Sequence, residues 1–146
     1  MLLNWKCFKD RKASGKAGER AAAVYGSTRD RGARGEDIAR AFLKKQGFKI
    51  RDVNYQVHGG EIDIIAMERG TLVFVEVKAS ASNIFADPLT WIPQWKQDRL
   101  VKASAVYIKA HRMGDMPLRY DVVTVDAGGR VQHIRDAFRP RQNLFM

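Results

Sequence analysis

The stretch from Gly59 to Lys78 constrains this chain more than any other. Two apolar, β-branched runs, Ile62–Ala66 and Leu72–Val77, flank a short polar turn, the pattern of an antiparallel hairpin. With Arg69-Gly70 as a two-residue loop, glycine standing where a positive φ is needed, residues whose numbers sum to 139 face one another. Asp63 then lies opposite Glu76, and Glu61 opposite Lys78. Strand alternation places Asp63 on a face with Glu61 and Ile65, and Glu76 on a face with Phe74 and Lys78. Two directly opposed carboxylates repel, so the pair calls for positive charge between them, and a divalent cation supplies it. Val73, Val75 and Val77 demand one buried face while Leu72, Phe74 and Ile65 bury the other. That makes the second run a central strand, where charges need a reason. The competing reading is an edge hairpin with a solvated charged face and a Glu61–Lys78 salt bridge.

At 146 residues the chain is expected to form one domain with one core. No run approaches the roughly 20 apolar residues of a membrane span, and Lys6 and Lys9 interrupt the apolar start too early for a secretory signal. A cytoplasmic protein with no membrane partner is the expectation. One cysteine, Cys7, excludes an internal disulfide and a thiolate zinc site, and His58, His111 and His133 are scattered. Any metal should therefore be a hard, oxygen-ligated ion, Mg²⁺ or Mn²⁺. The formal charge of +10 suits a polyanionic partner, most economically nucleic acid. Residues 1–34 hold nine of the 26 Lys/Arg and only three of the 16 Asp/Glu, so much of the excess lies outside the folded body.

Residues 1–31 lack a sustained apolar period and are expected to be a basic, flexible extension, with Ala17–Tyr25 at most a short helix. A helix is predicted from Gly35, with Ile38, Ala39, Phe42 and Leu43 inward and Gly47 ending it. Glu36 flanks its buried stripe. A strand over 48–55 leads into the hairpin, and Ala79–Pro88 reads as a small-residue loop. A second helix starts around Thr90–Lys96 and runs to about Lys109, with Leu100, Ala103, Ser104, Tyr107 and Ile108 inward. Lys96 falls on the same stripe and points inward at its start; the bland alternative is a snorkelling side chain. Strands over 120–125 and 131–134 follow, then a frayed basic end from Asp136, with 139–146 as a tail. The order α-β-β-β-α-β-β makes this an α/β fold, a mixed β-sheet with helices on its faces over residues 32–138.

Asp63, then Glu76-x-Lys78, is the Asp…Glu-x-Lys arrangement of metal-dependent nucleases. Opposed carboxylates can hold hard divalent ions, with the Val77 carbonyl as a further ligand. Such an ion acidifies a bound water and neutralises charge developing on a scissile phosphate. Lys78 can orient that water or stabilise the pentavalent phosphate. Glu36 can add a third carboxylate, and Lys96 can contact phosphate or the nucleophile.

The chain resembles the YraN/UPF0102 family of small bacterial proteins. The likeness rests on Gly35-Glu36-x-x-Ala39-x-x-Phe42-Leu43-x-x-x-Gly47-Phe48, on Asn54, on Gly60-Glu61-Ile62-Asp63-Ile64-Ile65-Ala66, and on Val73-Phe74-Val75-Glu76-Val77-Lys78. It continues through Lys96, the Arg119-Tyr120-Asp121-Val122-Val123 strand and Ile134-Arg135-Asp136-Ala137-Phe138. The resemblance implies a restriction-endonuclease-like, Holliday-junction-resolvase-like fold, with Glu36, Asp63, Glu76 and Lys78 in the acid, acid, acid and lysine places of the nuclease site. Where the family often has an arginine just after the motif lysine, this chain has Ala79-Ser80; Arg99 or Lys102 could replace that phosphate contact.

The expected function is thus a Mg²⁺- or Mn²⁺-dependent endonuclease on branched or otherwise structured DNA. By the same resemblance it works as a homodimer. Two other classes compete with it. One is a non-catalytic nucleic-acid-binding protein whose basic tail does most of the binding. The other is an adaptor that kept the fold, exposing Trp91, Trp95 and Tyr107, although core packing suits those residues better.

Overall fold

A computed structural model describes residues 27–82 and 92–141. The expectations for Ala17–Tyr25, for most of the 79–88 loop and for Trp91 fall outside those residues. Helix α1 spans Thr28–Lys45, seven residues earlier than the apolar period predicts. The reason is local. Ser27 and Asp30 form a capping box, the Ser27 hydroxyl accepting from the Asp30 N–H and the Asp30 carboxylate accepting from the Ser27 N–H at 3.0 Å. A cap of this kind contributes about 1 kcal/mol, enough to carry the helix through a first turn with little apolar support.

Strands β1 (Lys49–Val57), β2 (Gly60–Glu68) and β3 (Thr71–Ala79) follow, then helix α2 (Gln94–Ala110), β4 (Leu118–Val125) and β5 (Val131–Phe138). The α-β-β-β-α-β-β order is as expected, and the five strands form one mixed sheet in the order β1-β2-β3-β4-β5. Only β3 and β4 pair in parallel, joined across the sheet by α2. Pro93 caps α2 rather than lying in its first turn. β5 runs on to Phe138 instead of fraying at Asp136: Phe138 stacks on Tyr120 at 4.9 Å, and the Asp136 N–H donates to Asp121 at 3.0 Å.

The sheet separates two cores. Ala39 and Leu43 of α1 pack with Val73, Val75, Val77, Val123 and Val125. Leu100, Ala103 and Tyr107 of α2 pack with Leu72, Phe74, Tyr120 and Val122 on the other face. Consecutive residues of β3 thus bury opposite faces, which makes it a central strand and excludes the edge-hairpin reading. Tyr107 is core, as the packing argument expected, whereas Trp95 is 49% exposed and corrects that expectation, because it lies on the outer side of the first turn of α2.

Candidate active site

The β2–β3 turn takes the anticipated form. Glu68 pairs with Thr71, and Arg69 and Gly70 both have positive φ, 47° and 80°, the backbone of a type I′ hairpin. The register also follows the predicted sum, with Ile64 opposite Val75 and Ile65 opposite Phe74. The β2–β3 ladder stops there, one pair short of Asp63 and Glu76. β3 continues along β4 to Ala79, while β2 continues along β1 to Gly60. The two strands therefore part at the acids, and the β2–β3 ladder does not extend to Glu61 and Lys78. Glu61 instead faces Gln56 of β1 and accepts its side-chain amide at 3.4 Å.

The Asp63 carboxylate sits in the parting. Its Oδ2 accepts the Val77 N–H at 2.9 Å, where a strand neighbour would otherwise have bonded. In a strand, the N–H and C=O of one residue point the same way, so the Val77 carbonyl faces this gap too. Alternation also breaks at Asp63. Ile64 and Ala66 pack on the α1 side, whereas Ile62 packs with Ile65 on the α2 side. Gly60 confirms the reversal, because a Cβ there would lie 2.6 Å from the Arg99 carbonyl of α2. Opposite Asp63 in the β1–β2 register stands Asn54, with φ 51°, a left-handed conformation that Asn tolerates and most residues do not. The expectation that Asp63 shares a face with both Glu61 and Ile65 assumed an unbroken strand; the ribbon turns over at this point.

Glu76 follows Phe74 on the α2 face and is ion-paired with Lys96. Asp63, Glu76 and Lys96 are 2%, 2% and 4% exposed. Lys96 is thus no snorkelling side chain: it lies in the first turn of α2 with its ammonium buried against the central strand. Lys78, one pleat step on, is half-buried on the same face. Glu36, on α1, is half-buried. Among the described residues, no group of three His, Cys, Asp or Glu side chains is arranged to hold a metal. Arg99 and Lys102 lie farther along α2. Arg99 Nε donates to the Gly59 carbonyl at 2.8 Å and so ties α2 to the β1–β2 turn, while Lys102 is exposed.

A second charged cluster at the other end of the sheet was not anticipated as such. The buried Asp121 accepts from Arg119 Nε at 2.7 Å and pairs with His133 Nε2 at 2.8 Å. Burial pushes its carboxyl up, but the hydrogen bonds from His133 and Arg119 outweigh that and hold it below the usual carboxylate range. Glu68 is held low as well, first by Arg135. This network closes the sheet between β2, β4 and β5, and its acids are saturated by their cations.

Residues 35–125 match the uncharacterised protein family UPF0102. The chain belongs to that family. A UPF0102 protein of Pelobacter propionicus is 34% identical over 134 residues, covering 88% of this chain and 96% of its own. One from Syntrophus aciditrophicus is 40% identical over 107 residues, covering 71% and 84%. One from Bacteroides thetaiotaomicron is 37% identical over 112 residues, covering 75% and 92%. The match takes in Gly35, the hairpin, Lys96 and β4, so the whole candidate site lies within it. No described helix is long and apolar enough to cross a membrane.

Proposed function

We propose that this protein is a divalent-metal-dependent endonuclease that hydrolyses phosphodiester bonds, acting on DNA in branched or otherwise structured form. The observation that carries the reading is the burial of Asp63 and Glu76 at the one place where β2 leaves β3, with Lys96 against Glu76. Folding does not ask for this. A buried ion pair is often no more stabilising than apolar residues of the same volume, and the other buried residues of β2 and β3 are apolar.

The donor set fits a hard ion. Asp63 and the Val77 carbonyl are oxygen donors at the gap where β2 leaves β3, and Glu76 beside them is paired with a buried ammonium. These are the groups that would hold Mg²⁺ or Mn²⁺, with water and substrate oxygens completing the shell. When bound, such an ion acidifies the attacking water and offsets charge on the phosphate. The chain's own residues do the rest. The Val77 N–H fixes the Asp63 carboxylate, Lys96 fixes Glu76, and Lys78 on the same face is placed to orient water or contact a phosphate oxygen. A homodimer would present two such sites to a two-fold junction.

The test is cleavage of a four-way DNA junction by the full chain with Mn²⁺. Asp63→Asn and Glu76→Gln, which keep the side-chain volume and a hydrogen-bonding oxygen, should each abolish it, with circular dichroism confirming that the variants are folded at the assay temperature. Metal-dependent cleavage that survives both substitutions removes the assignment. A non-catalytic nucleic-acid-binding protein would give a different pattern. Binding would be tight, salt-sensitive and unaffected by Asp63→Ala, would be lost on deleting residues 1–26, which precede α1, and no cleavage would occur.

A further inference from the structure

Two buried side-chain polar atoms among the described residues have no hydrogen-bond partner: Arg31 Nε and Thr124 Oγ1. Buried polar atoms are paired in the large majority of cases, so each orphan calls for an explanation. Both lie at the same end of the sheet. Thr124 pairs with Lys78 in the parallel β3–β4 ladder. Arg31 lines a small pocket just beyond it, with Arg34, Gly35, Ala79, Ala81 and Asp126 among the walls. The carboxyl ends of parallel strands are where α/β sheets characteristically take ligands.

Close packing forms the pocket. A Cβ on Gly35 would meet the Ala79 Cβ at 2.8 Å, so α1 lies directly on the end of β3. Arg31 and Arg34, three residues apart, share one side of the helix there. The one acidic wall residue, Asp126, is occupied by Arg130, accepting its Nε at 2.7 Å and its backbone N–H at 2.8 Å. Neither Arg31 nor Arg34 has an ion pair among the described residues. The charge the pocket offers is therefore positive. Its volume is about 30 Å³, roughly twice the ~10–15 Å³ that one water requires. That admits the oxygens of a phosphate group and excludes a nucleobase.

We infer that Arg31, supported by Arg34, binds a backbone phosphate of the nucleic acid adjoining the one engaged at Glu76 and Lys78. The inference rests on the endonuclease reading and extends it by a phosphate subsite. A guanidinium presents its N–H groups in a planar fork that matches two phosphate oxygens, which gives the orphaned Nε a partner. Lys78 and Ala79 are consecutive and face opposite sides of β3. The bound strand would thus cross the carboxyl end of β3, one phosphate on the α2 side and the next on the α1 side.

Two titrations of the full chain test this. Inorganic phosphate, followed by amide and Arg Nε–H NMR signals, should move Arg31, Ala79, Ala81 and Gly129, and Arg31→Ala should remove the response. Junction-DNA affinity should fall about tenfold in Arg31→Ala. The slope of log affinity against log salt should become shallower by about 0.9. Arg31→Lys should restore the slope but not the full affinity, because it keeps the charge and loses the fork. Unchanged affinity and slope in Arg31→Ala, with wild-type binding intact, overturns the subsite and leaves the endonuclease reading untouched. Phosphate shifts without any DNA binding by the wild type overturn both, leaving an inorganic-anion site only.

Discussion

Replacing Lys96 with Met separates what the buried ion pair does for the fold from what it does for the site. The Lys96 and Glu76 side chains are 5% and 2% exposed, so both charges have left water. Removing one partner of such a pair leaves the other uncompensated and costs about 3–5 kcal/mol. For a domain of this size that lowers Tm by about 10–20 °C in EDTA. Glu76→Gln/Lys96→Met should recover much of the loss, because no lone charge remains, giving a coupling energy of about 1–3 kcal/mol in the double-mutant cycle. The site reading adds a second expectation. If Glu76 is a cation ligand, Mn²⁺ should raise the Tm of Lys96→Met more than that of the wild type, since the ion takes over the charge the ammonium supplied. Thermal unfolding by circular dichroism, with EDTA and over a Mn²⁺ series, gives every quantity. A Lys96→Met protein within 1 kcal/mol of wild type in EDTA would refute the buried pair. An equal Mn²⁺ response in both proteins would refute the link between Lys96 and the cation site.

Other expectations follow from the packing and the charges. Gly60→Ala should destabilise by about 1–3 kcal/mol in urea unfolding, because its Cβ would meet the Arg99 carbonyl at 2.6 Å; an unchanged midpoint would mean α2 does not sit against the β1–β2 turn. Asp121 has a folded-state pKa below its unfolded value. Its stabilisation is therefore present above the unfolded carboxylate pKa near 4 and is lost as pH falls through the folded value. Wild-type Tm should drop from about pH 4 downward more steeply than that of Asp121→Asn, which starts lower at neutral pH; parallel profiles would contradict the assignment.

Much of this fold is legible in the chain because its strands are buried on both sides. Continuous β-branched runs around Arg69-Gly70 leave one hairpin register, which the ladder follows from Glu68 and Thr71 to Ile64 and Val75, one step before Asp63 and Glu76. The start of α1 was legible too, in Ser27 and Asp30, but a capping box is a short polar signal that apolar periodicity overlooks. β5 ran longer than its own residues suggest, because Phe138 and Asp136 are held by Tyr120 and Asp121 from another strand.

Residue order alone singles out the candidates for the site: two acids and Lys78 in apolar strands, with Lys96 on an inward stripe. Only the tertiary structure decided how they meet. Strand alternation is a local rule and holds while a ladder is unbroken, but where β2 leaves β3 the neighbours change and the rule lapses at Asp63. The face each helix covers is likewise non-local. α2 brings Lys96 onto Glu76, while α1, on the other side of the sheet, brings Arg31 to the wall of a pocket.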